Sequence, residues 1–114
     1  MAARANVRER GSISVVDLSG LLMLGESTAM LRETVAELVD RHRKNILLNF
    51  REVTEIDSAG VGGLLAVYNA IKRREGHLKL LCPPQKVRDV LQVTQLSRVL
   101  EVFEDEDSAL RSFD

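Results

Sequence analysis

The stretch Asn49–Ile71, NFREVTEIDSAGVGGLLAVYNAI, places one serine, Ser58, directly behind an aspartate and ahead of three glycines. Three chemistries suit a hydroxyl in that setting: a catalytic nucleophile, a helix cap, or an acceptor that another enzyme modifies. A hydrolase elbow reads Gly-x-Ser-x-Gly, and the residue two before Ser58 is Ile56, so the glycine that permits the tight approach is missing. A nucleophile also needs a base, and the two histidines, His42 and His77, fall where a helix ends and a strand begins, positions expected to face solvent. Capping is the plainer role. Asp and Ser are among the best N-cap residues, and either Asp57 or Ser58 can serve the helix that follows. Gly60 and Gly62 complicate that reading, because each costs roughly 0.5–1 kcal/mol relative to Ala inside a helix. Two glycines in a first turn imply that another helix or a partner comes close to the backbone.

Other chemistries fail on spacing. The run Gly60–Gly63 opens a helix, yet Leu65 stands where a dinucleotide loop needs its third glycine, and no lysine follows before Lys72. Two distant histidines and one cysteine form no ligand set, so neither a metal nor a cofactor is expected. The acidic run Glu104–Asp107 is read as solvated residues compatible with the dipole of a following helix. Cys82 closes the apolar run Leu78–Cys82 and is expected to be a small buried hydrophobe.

The elements that must position Ser58 follow from periodicity. Ile13–Leu18 and Leu21–Leu24 read as two strands around a Ser19-Gly20 turn, able to pair antiparallel. Ser27 or Thr28 is expected to cap a helix carrying Leu31, Val35 and Leu38. NILLNF (Asn45–Phe50) is a strand, and its unbroken apolar run suits an interior position covered on both faces. Val61, Leu64, Leu65, Tyr68 and Ile71 form one apolar helical face, closed by Lys72–Arg74 and Gly76. HLKLLC is the next strand, and Pro84 can open a helix with Val87, Val90 and Leu91. RVLEVF makes a last strand, and Asp107 or Ser108 is expected to cap a closing helix. Opening strands followed by β-α-β-α-β-α imply parallel neighbours and a mixed sheet with helices packed on it: an α/β fold.

A chain of 114 residues fits a single domain, taken as residues 1–114. Its aromatics are one tyrosine and three phenylalanines, so the core is aliphatic. The net charge of -1 gives no overall field for nucleic acid or an anionic membrane. The N-terminus has no apolar signal region, and no apolar stretch approaches the roughly 20 residues that span a bilayer. A cytoplasmic location is expected.

Over residues 12–113 the layout resembles a STAS domain, and specifically the stand-alone bacterial anti-sigma factor antagonists (anti-anti-sigma factors). The matching segments are VVDLSGLLMLGE, NILLNFREVTEIDSAGVGGLLAVYNAIKRREGHLKLL and VRDVLQVTQLSRVLEVFEDEDSAL. The most specific element is a strand followed by Asp-Ser, one small residue and Gly-x-Gly; the Leu91–Leu96 pattern Leu-x-x-Thr-x-Leu is similar as well. The resemblance implies partner switching. An anti-sigma factor that is a serine kinase would bind the unphosphorylated protein and phosphorylate Ser58; a phosphatase would reset it, and sigma-dependent transcription, as in a stress response, would follow. Asp57, Ser58, Ala59, Gly60 and Gly62 would form the partner-binding surface of a protein that is not an enzyme. Many relatives carry Ser or Thr where Ala59 stands, and an acid near Met23. The alternative is a STAS subunit, never phosphorylated, in a larger regulatory or membrane-transport assembly. A small-ligand sensor is a further class, without convergent polar groups to support it. Self-association is left open.

Overall fold

The computed structural model describes residues 3–23 and 25–114. Strands β1 (Arg4–Arg10) and β2 (Ile13–Leu22) precede helix α1 (Glu26–Asp40); β3 (Asn45–Ile56), α2 (Ser58–Arg73), β4 (His77–Leu81) and α3 (Gln85–Val93) follow. A 3-10 turn at Leu96–Arg98, the short strand β5 (Val102–Phe103) and helix α4 (Glu106–Arg111) complete the chain. The five strands lie in the order β1-β2-β3-β4-β5. β1 pairs antiparallel with β2, and every other neighbour is parallel. The expected mixed sheet and interior β3 are both present.

The opening differs from its expectation. The Ser19-Gly20 turn does not form; β2 runs through it as one strand, with register irregularities on both sides and Gly20 at φ 92°. The hairpin turns instead at Gly11 (φ 63°) and Ser12, where Arg10 pairs with Ile13, so the antiparallel partner is the upstream strand β1. Leu24, assigned to the second run, lies outside the described residues. Capping also shifts. Gly25 (φ 109°) holds the α1 N-cap position, while the hydroxyls of Ser27 and Thr28 donate to the Met23 carbonyl at 2.7 Å. Asp105, and neither Asp107 nor Ser108, caps α4 by accepting from the Ser108 N–H at 2.9 Å. An extended β-region residue one position before the first helical turn has the freer side chain, which is why the earlier acid wins.

The two sheet faces are covered unequally. On one, Val16, Leu18, Ile46, Leu48, Phe50 and Leu80 meet apolar residues of α1, α2 and α3. Phe50 and its neighbours are fully buried, each worth roughly 1.5–3 kcal/mol of transfer free energy. On the other, Ile13, Val15, Leu47 and Leu81 are sheltered mainly by Ala109 and Leu110 of α4 and by Phe113 just beyond it.

Two polar clamps hold α4 in place. Arg8 donates to Asp17 at 2.6 Å and to Glu106 at 2.8 Å, and Arg10 donates to Glu106 at 2.6 Å. At the far end Lys79, only 7% exposed, donates to the carbonyl and hydroxyl of Ser112 at 2.8 and 2.9 Å. Its ammonium also lies 4.8 Å from the Phe113 ring centroid.

The Arg8 hydrogen bonds hold the carboxyls of Asp17 and Glu106 below their ordinary values. Groups depressed on folding contribute stability above their unfolded values, about pH 4, and lose it as pH falls through the folded ones. Glu106→Gln is therefore expected to lower stability at pH 7 by about 0.5–1 kcal/mol, the scale of partly exposed pairs. It should also flatten the decline below pH ~4. Urea denaturation of both proteins across that range checks this.

Candidate functional site

β3 ends at Ile56, and the chain enters α2 through Asp57, which is extended (φ -115°) and is the N-cap. The Asp57 carboxylate accepts from the Gly60 N–H at 2.8 Å, and its own N–H donates to the Leu22 carbonyl at 3.4 Å. Of the two candidate caps, the aspartate takes the role. Ser58 is the first helical residue, exposed, and among the described residues its hydroxyl makes no hydrogen bond. The first turn of a 16-residue helix thus presents a solvent-facing hydroxyl at its positive end.

The glycines divide by role. A methyl on Gly60 would overlap the Leu22 carbonyl oxygen and approach Ile56 Cγ1 to 2.7 Å, so the backbone close to Gly60 is that of β2. Gly60 is buried, and its lack of a side chain serves the packing of α2 on β2. Gly62 is exposed, with nothing within 4 Å of where its Cβ would lie. Gly63 was not singled out in the sequence. It is buried where α2 crosses α1, and an added Cβ would meet Thr28 Cγ2 at 2.7 Å. Its signal was the third glycine of the run. Ala59 is half-buried. Leu65, expected on the core face, is 42% exposed and follows Ser58 and Gly62 at helical spacing, extending their surface along α2.

A hollow of about 320 Å³ opens next to this turn, lined by Met23, Glu55, Ile56, Lys86, Asp89 and Val90. Lys86 pairs with Glu55 across it at 3.3 Å. The histidines are elsewhere: His77 pairs in register with Asn45 at the start of β3, and His42 follows α1 at that same end, whereas Ser58 follows the end of β3. No imidazole is placed to activate Ser58 as a nucleophile. Cys82 departs from its expectation. It is half-buried at φ 52°, accepts from the Arg51 guanidinium at 3.4 Å and donates to the Glu104 carbonyl at 3.0 Å. Arg51 is distant in sequence, and parallel pairing brings it to the thiol.

The family model of the STAS domain matches residues 4–109. The chain belongs to the STAS domain family. This STAS domain is 23% identical over 111 residues to the anti-sigma F factor antagonist of Paenibacillus polymyxa, covering 96% of this chain and 94% of that one. Relatives in two Thermotoga species align at 27% identity over 74 residues, 66% of their length. A Thermotoga maritima crystal structure, described as a candidate anti-sigma factor antagonist, superposes with a TM-score of 0.89 at 21% identity, covering 96% of this chain and 93% of that one. The phosphorylated form of the Bacillus cell fate determinant SpoIIAA gives 0.75 at 22% identity, covering 96% and 99%. Among the described residues no helix of the STAS domain is long and apolar enough to cross a membrane.

Alanine at the two glycines should act in opposite directions. Gly60→Ala is expected to destabilise by about 1–3 kcal/mol through overpacking on β2. Gly62→Ala should stabilise by about 0.5–1 kcal/mol through helix propensity. Chemical denaturation of the two variants separates the roles.

Proposed function

We propose that this STAS domain is an anti-sigma factor antagonist that works by partner switching, with Ser58 as the residue that a partner kinase phosphorylates. The observation that carries this is the free Ser58 hydroxyl. Asp57 does the capping, so Ser58 is exposed at the helix start with no structural task inside the domain. Relatives named anti-sigma factor antagonists, and the SpoIIAA structure in its phosphorylated form, support the same reading.

On this reading the domain is a substrate and a binding module, not an enzyme, and ATP belongs to the partner. Unphosphorylated, it binds an anti-sigma factor with serine kinase activity and releases a sigma factor for transcription in the cytoplasm; a phosphatase reverses the modification. The partner surface comprises Asp57, Ser58, Ala59 and Gly62, with Gly60 supporting it from beneath. Met23 stands where relatives carry an acid, and the neighbouring hollow supplies acids from other elements, Glu55 and Asp89.

A phosphate on Ser58 adds about -1.5 to -2 charges at pH 7. The helix dipole favours that charge by roughly 0.3–1 kcal/mol, and the adjacent Asp57 carboxylate opposes it on a similar scale. The two nearly cancel, so the domain itself barely responds. A partner covering Ser58 must desolvate the new charge, at an effective several kcal/mol unless it supplies cations. Phosphorylation is therefore expected to weaken binding at least about a hundredfold, since each 1.4 kcal/mol is tenfold.

Intact mass after incubation with ATP and an anti-sigma kinase should rise by about 80 Da in the native protein and remain unchanged in Ser58→Ala. Calorimetric titration of both phosphorylation states against that kinase then reads the switch. Phosphorylation persisting in Ser58→Ala, or equal affinity of the two states, contradicts the proposal.

A further inference from the structure

At the end of the molecule where β3 and β4 begin, two short basic segments meet. Arg41, His42 and Lys44 follow α1; Lys72, Arg73 and Arg74 close α2. Gly76 brings them together: the His77 N–H donates to the Lys44 carbonyl at 3.0 Å, and a methyl on Gly76 would overlap that same oxygen. A hollow of about 240 Å³ lies between the segments, lined by Val39, His42, Lys44 and Arg74.

These cations are exposed, and among the described residues none of Arg41, Lys44, Lys72, Arg73 or Arg74 has a carboxylate partner or a side-chain hydrogen bond. Within the first segment Arg43 pairs with Glu9; outside the cluster Arg8, Arg10, Lys79, Lys86 and Arg88 pair with acids, whereas Arg4, Arg32, Arg51, Arg98 and Arg111 make no ion pair among the described residues. Two helix C-termini explain part of the cluster, but together they amount to only about one negative charge. Exposed Asp40 and Glu75 are the nearest acids in sequence and leave the end positive. The whole chain carries -1, so a positive end leaves a net negative charge over the remainder.

We propose that this basic end is a second docking surface, separate from Ser58, for an acidic segment of a protein partner. Arginine forks match carboxylates in two-point geometry. The exposed large apolar residues Val7, Leu65, Val93 and Val99 all lie outside the cluster, so it has nothing to insert into a bilayer. It also contains no Phe, Tyr or Trp of the kind that forms base-stacking platforms. The inference stands whether or not Ser58 is phosphorylated.

The test uses the full chain and a synthetic peptide rich in Glu and Asp, titrated by calorimetry and followed by amide NMR. Saturable binding is expected, with shifts at residues 41–44 and 72–77 and weakening as salt rises. The triple variant Lys44→Gln, Arg73→Gln, Arg74→Gln should keep the native melting temperature and lose at least about tenfold in affinity. Arg4→Gln with Arg98→Gln, which removes exposed cations elsewhere, and Ser58→Asp should bind as the native chain does. Absent or unsaturable binding, shifts elsewhere, or undiminished affinity in the triple variant overturns the proposal. Tighter binding to phosphatidylglycerol vesicles or duplex DNA at matched charge overturns it equally, in favour of lipid or nucleic acid.

Discussion

The contact between the first turn of α2 and the end of β2 governs how this domain presents itself. Gly60 lets the helix backbone rest on the Leu22 carbonyl, and the Asp57 N–H reaches the same oxygen. The strand's last acceptor is thereby satisfied without a loop between them. The helix start cannot retreat from the sheet, and its side chains cannot exchange tasks. Asp57 is turned to cap the helix through Gly60, which leaves the next residue outside the internal bonding pattern. An exposed serine beside a rigid turn therefore costs little to cover or to modify, because nothing inside the domain has to rearrange.

Much of the architecture was legible because periodicity is a local signal. The spacing from Val61 to Ile71 marked α2, the apolar run at Ile46–Leu48 marked a central strand, and Pro84 marked the approach to α3. What escaped depends on partners distant in sequence. RANVRER reads as polar because an edge strand buries little of either side. Ser19-Gly20 reads as a turn because glycine serves turns and bulges alike, and only pairing with β3 decides which. Gly60 and Gly62 look equivalent, two residues apart in one motif, yet one meets a carbonyl and the other open space. Spacing cannot tell an internal close approach from an external one. The Arg51–Cys82 contact, made across the sheet, carried no local signal at all.

The two faces of the sheet are stabilised by different means. Helices α1, α2 and α3 cover one with a continuous aliphatic core. The other relies on six residues of helix, too short to be stable alone, fastened by charges at both ends. Lys79 can be buried there because its ammonium keeps oxygen acceptors and two aromatic rings around it. Solution conditions that leave the large core untouched, such as acid or high salt, act first on that smaller face.

The charged strand β1 also bears on how the protein survives at high concentration. β2 is among the most apolar strands of the sheet, with Ile13, Val15, Val16 and Leu18 all buried. Were it the margin of the sheet, its unpaired backbone would be an open template for strands of other molecules. Arg4, Arg8, Glu9 and Arg10 form that margin instead, and arginines set against arginines discourage a second copy from joining in register. A chain begun at residue 12 would keep Ser58 and α2 but leave the β2 edge open to pairing with other molecules. Strand β1 thus covers an edge that would otherwise invite foreign strands, and its value lies in the assembly it discourages.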